Sequence, residues 1–139
     1  AGTYVDALDV QVVPDQPFLQ YAGSTGGLTG NVSPRWRSAT TLGYRNGDFE
    51  ASLRWRRVGA ADDVSTVTSA SSSVPGVPAV DYLDLNTSLR LNELIELRAG
   101  VTNLSDRRLP QVGSVQGNSD FSTYDGLGRS YFLGLRAKF

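Results

Sequence analysis

The chain has 139 residues, 40% of them hydrophobic and 19% charged, with a net charge of −1. That is one domain's length, and the balance excludes both a basic nucleic-acid binder and an acidic disordered tail. It contains no Cys and no His, which removes disulfides, thiolate chemistry, the commonest general base and the commonest metal ligand. The first periodic run, "TYVDALDVQVV", sets Tyr4, Leu8, Val10 and Val12 on one face with Asp6 as the exception, and reads as a strand ended by Pro14 and Pro17. A Gly-rich loop then leads to Pro34.

The next stretch, "RWRSATTLGYRNGDFEASLRWRRVG", carries Asn46-Gly47, the dipeptide favoured in a type I′ hairpin turn. Centring the turn there pairs Arg45 with Asp48, Tyr44 with Phe49, Leu42 with Ala51, Thr40 with Leu53 and Ser38 with Trp55, which gathers the large apolar residues on one face. Residues 60–80 show no sustained period and read as a second long loop, with Asp62-Asp63 as solvated loop acids rather than a calcium site.

Beyond it, Leu83, Leu85, Leu89 and Leu91 alternate on one strand and Ile95, Leu97, Ala99 and Val101 on the next. Both sets are odd-numbered. A two-residue turn would split them between faces, so a three-residue turn at Asn92-Glu93-Leu94 is expected, pairing Leu91 with Ile95, Leu89 with Leu97, Arg90 with Glu96 and Ser88 with Arg98. A third long loop, residues 105–128, precedes the last strand, Arg129 to Phe139. There Tyr131, Leu133, Leu135, Ala137 and Phe139 share a face.

The expectation is all-β: about six antiparallel, up-and-down strands joined long, short, long, short, long. Outer-membrane barrels sort their connections in this way. Aromatics flank the apolar stripes: Trp36 and Tyr44 around Leu42, Phe49 and Trp55 around Leu53. The opposite face carries Arg35, Arg37, Glu50, Arg54, Arg56, Asp84, Arg90, Glu96, Arg98, Arg136 and Lys138, too many charges for a dry core. A soluble sheet with one wet face gives the same alternation. Loop sorting, aromatic placement and the terminal Phe139 favour the inverted arrangement, with apolar residues toward lipid and Arg37, Arg54, Arg56 and Arg98 toward a wet lumen.

Three segments, "SPRWRSATTLGYRNGDFEASLRWRRVG", "YLDLNTSLRLNELIELRAGVTNLSDRRLP" and "TYDGLGRSYFLGLRAKF", together resemble the last barrel strands of TonB-dependent receptors, over about Tyr4 to Phe139. The resemblance implies that residues 1–139 are the C-terminal part of a transmembrane β-barrel in the outer membrane of a Gram-negative cell. It implies active uptake of a scarce ligand (an iron chelate, cobalamin or an oligosaccharide) driven by the TonB complex. The implied partners are the rest of the barrel, the plug, lipid and the outer-membrane assembly machinery, for which Tyr131, Leu133, Leu135, Ala137 and Phe139 would be the assembly signal. The plug and the TonB-contacting segment lie outside this sequence. Many relatives carry a Cys pair in the loop matching Tyr21 to Asn31, and this chain has none.

Tyr21, Phe121 and Tyr124 are the loop aromatics placed to stack on a ligand, with girdle or loop packing as the plainer reading. No cofactor, metal site or nucleic-acid partner is expected. The chain does not read as an enzyme, since only the carboxylates Asp84, Glu50 and Glu96 offer acid/base chemistry and no nucleophile elbow or phosphate loop is present. The alternative is a stand-alone β-module with Leu83, Leu85, Leu89, Ile95, Leu97 and Leu135 in a dry interior. No signal peptide opens the chain, which starts at Ala1 and reads either as mature or as cut from something longer.

Overall fold

Two tight hairpins organise the architecture. In the computed structural model, which describes residues 1–11, 13–26, 32–64, 74–113 and 119–138, β5 (Trp36–Asn46) and β6 (Phe49–Val58) are joined by Gly47-Asp48. The expected pairing is corrected by two residues: Asn46 lies opposite Phe49, Arg45 opposite Glu50, Leu42 opposite Leu53 and Thr40 opposite Trp55. Only Gly47 of the Asn46-Gly47-Asp48 trio has positive φ (57°). A glycine at the first central position is the type II′ solution, whereas type I′ requires positive φ at both positions. A shift of two residues preserves the pleat, so every side chain keeps its expected face, and Arg45 gains Glu50 as an ion-pair partner at 2.6 Å.

The second hairpin follows the expected register. Strands β9 (Val80–Arg90) and β10 (Ile95–Thr102) pair Arg90 with Glu96, Leu97 with Leu89 and Arg98 with Ser88. Asn92 closes the turn by accepting from the amides of Leu94 (2.9 Å) and Ile95 (2.8 Å), an Asx-type bond that suits it to this position. The charges partner differently from the register, because Arg90 faces Asp48 at 3.9 Å while Glu96 is taken by Arg98 at 2.7 Å.

The last strand, β11 (Ser130–Ala137), pairs along the whole of β10, and β1 (Gly2–Tyr4) pairs with the start of β5. The main sheet therefore runs β1-β5-β6-β9-β10-β11, and all of its neighbours are antiparallel. It is an open up-and-down meander. Its three long connections leave from one end and its two tight turns from the other.

The expected first strand is much shorter than its periodicity suggests. The ladder stops at Tyr4, opposite Trp36, where β5 begins, and one further bond follows it, from the Val5 amide to the Arg35 carbonyl (2.8 Å). The chain turns away, and the rest of the run pairs locally as β2 (Asp9–Val10) with β3 (Leu19–Gln20). Val12 lies outside the described residues.

The second long loop is also more structured than expected. Strand β7 (Ala61–Asp63) sits between β4 (Ser24–Thr25), which it meets in parallel, and β8 (Gly76–Val77), antiparallel. Asp62 and Asp63 are thus strand residues, and Asp63 is 2% exposed rather than solvated. A two-residue-wide sheet between loops far apart in sequence has no periodicity to announce it.

Burial places the core on the unexpected side for a soluble sheet. Val58, Val80 and Tyr82 of β6 and β9 lie on the charge-bearing face at the long-loop end, where they pack with Val32, Ala61, Val77, Val112 and Tyr124 from the connections. The apolar face is open: Leu42 is 67% and Leu133 75% exposed, and none of Leu83, Leu85, Leu89, Ile95, Leu97 and Leu135 is buried. Tyr4 and Trp36 meet as a tilted ring pair at the long-loop end (centroids 6.0 Å) and Tyr44 and Phe49 as another at the tight-turn end (6.5 Å).

Candidate functional site

The long-loop end of the charge-bearing face holds the densest polar network. Register puts Arg56 opposite Tyr82 and Arg54 opposite Asp84, so a cation, a ring and a carboxylate meet across β6 and β9. The Arg56 guanidinium grips Asp84 through Nε (2.8 Å) and Nη2 (3.2 Å). It also donates to Asp125 through Nη1 (3.0 Å) and Nη2 (2.5 Å) and lies 4.9 Å over the Tyr82 ring. Two forked carboxylates and one aromatic face use most of what a planar guanidinium can offer.

Each partner is itself held. Asp84 accepts the Asn103 amide at 3.0 Å, and the Tyr82 hydroxyl accepts the Asp125 amide at 3.3 Å. The third connection is thereby fastened to the sheet at Asp125, 69 residues from Arg56. Removing any one charge would strand the others in a half-dry environment, which carries a large penalty.

A second knot ties the first connection to the third. Asp120, almost wholly buried, accepts from the Val32 amide (3.0 Å) and from the Ser122 amide (2.9 Å) and hydroxyl (2.5 Å). Burial opposes its ionisation, but bonds from Ser122, Val32 and Thr123 outweigh that, holding the Asp120 carboxyl below the usual carboxylate range. Arg37 bridges the same two segments, donating from Nη2 to the Val32 carbonyl (3.1 Å) and to Thr123 Oγ1 (3.2 Å).

Between these knots lies a cleft of about 600 Å³, bounded by Arg54, Arg56, Asp84, Asn86, Phe121, Tyr124 and the segment 125–128. Phe121 is 70% exposed at its rim. Tyr124 is 2% exposed and forms the floor, and burial pushes its phenol up to about 12. Its hydroxyl has no hydrogen-bond partner among the described residues. The cleft can therefore present a guanidinium from Arg54, the Asn86 amide and the Phe121 ring to a polar or anionic guest, while Asp84 and Asp125 stay engaged with Arg56. Among the described residues, no group of three or more acidic side chains is arranged to hold a metal ion.

The expected site residues separate. Phe121 and Tyr124 meet Arg54 and Arg56 at this cleft. Tyr21 does not join them: it is 3% exposed within the first connection, where its amide donates to the Leu8 carbonyl and its carbonyl accepts from Ser24, a placement that matches the plainer of its two readings, loop packing. Arg37 works as a loop clamp. Arg98 sits near the tight-turn end, paired with Glu96. Tyr131, Leu133, Leu135 and Ala137 stand exposed on the apolar face, and Phe139 lies outside the described residues.

Sequence reasoning missed Asp125, Asn103, Asp120 and Tyr82. One signal was available, since three arginines on one face of two strands demand counter-charges. Which acids answer depends on the β6–β9 register and on a loop fold that no local pattern specifies. Comparison of the chain with protein-family models, with curated proteins and with solved structures gives no match.

Proposed function

We propose that this chain is the C-terminal part of a transmembrane β-barrel in a Gram-negative outer membrane, belonging to a TonB-dependent importer of a scarce, bulky ligand. The observation that carries the reading is the inverted sheet. Its apolar face stays open across five strands while its charged face is internally paired and covered at one end by the long connections. An open apolar face of this size on a soluble protein invites aggregation, whereas lipid covers it at no such cost.

The dimensions agree. β5, β6 and β9 have 11, 10 and 11 residues, against the ~9–11 needed by a tilted spanning strand. From Trp36 to Tyr44 the stripe runs ~27 Å along the strand at ~3.4 Å per residue. A ~40° tilt shortens this to ~20 Å, near the ~25 Å apolar band of such barrels. On this reading Arg54, Arg56 and Arg98 face the lumen, the knotted connections face outward from the cell, and Phe121 and Arg54 line a surface over which the ligand passes. The strands that would close the barrel, and the plug, lie outside this sequence.

The chain has no cysteine, so nitroxides at single positions report cleanly. Leu42→Cys, Leu53→Cys and Leu133→Cys should show high oxygen and low nickel-chelate accessibility in membranes, and Ser52→Cys and Asn86→Cys the reverse. In parallel, cells lacking the protein should lose energised uptake of one of the three ligand classes. A monomer that stays soluble without detergent, or accessibilities that do not alternate, would replace this reading with the stand-alone β-module. Undiminished uptake of all three ligand classes would remove the transport assignment.

A further inference from the structure

Asp84 and Asp125 hold Arg56 on unequal terms. Asp84 is rooted in β9, accepts the Asn103 amide at 3.0 Å as well as the Arg56 fork, and keeps only 11% of its side-chain surface exposed. Asp125 comes from the third connection, keeps 26% of its side chain exposed, and donates its amide to the Tyr82 hydroxyl over a long 3.3 Å. From there to Arg129, whose amide donates to Asp106 at 3.0 Å, Gly126, Leu127 and Gly128 make no hydrogen bond among the described residues. Gly128 takes positive φ (65°), which its missing Cβ permits. Arg56 is therefore the main anchor of segment 125–128, and a glycine stands on each side of Leu127 to take up a swing once that anchor is lost.

The surface beside this segment is cationic. Arg54 lies two residues before Arg56 on the same face of β6 and lines the same cleft. It is exposed and has no hydrogen-bond or ion-pair partner among the described residues. The exposed Phe121 ring borders the cleft and lies against Gly126, where an added Cβ would come within 2.5 Å of it. A guest carrying a carboxylate beside an apolar group meets here the guanidinium fork that Asp125 already occupies, together with a second guanidinium and an aromatic face.

We infer that Asp125 is an internal stand-in for the carboxylate of such a guest: the guest docks at Arg54, takes over the Arg56 fork from Asp125, and so releases segment 125–128 as a strap. One carboxylate replaces another on Arg56, so that ion pair is conserved and the added contacts with Arg54 and Phe121 tip the exchange. A guest shifts such an equilibrium only by what it gains in the open state over the closed one. The inference rests on the reading of this cleft as the ligand's surface and adds that the closed strap is autoinhibitory.

The test uses the full chain in detergent micelles, with phenylacetate as the probe and phenylacetamide as its uncharged counterpart. Affinity is read by ligand-observed NMR, and strap motion from a nitroxide at Leu127→Cys, a position 91% exposed. Phenylacetate should bind more tightly than phenylacetamide, and the nitroxide should gain mobility as phenylacetate saturates, approaching its spectrum in Asp125→Asn. Because coupling is reciprocal, Asp125→Asn should tighten phenylacetate roughly tenfold. Arg54→Gln should weaken it roughly tenfold, the loss of one charge-assisted bond. Tighter binding in Asp125→Asn with no gain in mobility when phenylacetate saturates the chain that keeps Asp125 overturns the exchange, since it reports only the removal of a repelling charge. Equal affinity for the two probes, or no binding to Asp125→Asn, where the seat is vacant, overturns the carboxylate seat. The accessibilities at Leu42, Leu53 and Leu133 are read on separate variants. An alternation that persists while phenylacetate fails strikes the strap alone, and an alternation that is lost strikes the membrane reading.

Discussion

Replacing Arg56 by methionine removes the one cation shared by Asp84 and Asp125 while keeping most of the side chain's apolar bulk. Four charge-assisted bonds and the contact with the Tyr82 ring are lost together. Summing them singly would overcount, because they act as a unit. The better guide is the cost of breaking a buried ion pair by deleting one partner, ~3–5 kcal/mol. Arg56 and Asp125 retain about a quarter of their side-chain exposure and Asp84 about a tenth, which places the expectation at the low end, ~3 kcal/mol. Most of that cost is repulsion and desolvation of the two abandoned carboxylates. Asp125→Asn in the Arg56→Met background should therefore recover ~1 kcal/mol, although Asp125→Asn alone destabilises. The assay is denaturant unfolding in detergent micelles, together with protease cleavage within residues 119–128, which should become accessible in Arg56→Met first. A loss below ~0.5 kcal/mol, the scale of ordinary surface substitutions, would refute the network's role, as would a double variant no more stable than Arg56→Met.

Leu133→Arg, in the middle of the exposed stripe of β11, should cost ~2–4 kcal/mol in bilayers, whereas Thr41→Arg on the opposite face of the sheet should stay within ~0.5 kcal/mol; equal costs in a refolding titration would contradict the assignment of faces. Because the folded Asp120 carboxyl ionises below its ordinary range, the unfolded chain takes up that proton first. Its contribution is therefore whole above ~3.9 and fades as pH falls from there through the folded value, and Asp120→Asn should flatten that limb of the stability profile. Tyr124 acts at the other end: its raised pKa keeps its contribution whole below ~10 and loses it as pH climbs toward about 12, a limb that Tyr124→Phe should erase at little cost at pH 7, since the hydroxyl has no partner among the described residues. Gly100→Ala places a methyl group where the Phe132 ring lies and 2.9 Å from Asn86 Oδ1. Overpacking there should cost ~1–3 kcal/mol, partly relieved by Phe132→Leu in a melting comparison.

Local chemistry determined much of this protein in advance. Period-two alternation named the strands of the main sheet and sorted their faces, because a pleat admits only two directions for a side chain. The odd-numbered apolar sets around Asn92 determined a three-residue turn, and the structure has that register. At Asn46-Gly47-Asp48 the dipeptide marked the turn but not its centre, since Gly47 can serve either turn type and only the paired strands select one. The tertiary structure alone decided the rest. Whether Tyr4 to Val12 continued as one strand depended on where β5 began, not on its own pattern. Asp84 and Asp125 converge on Arg56, and the Asn103 amide on Asp84, through contacts between segments 19 to 69 residues apart, for which a sequence period carries no information. Tyr21 and Phe121 look alike in sequence, as aromatics in glycine-flanked or polar loops. Burial separates them, because only the folded connections determine which ring is covered and which stands at the rim of the cleft.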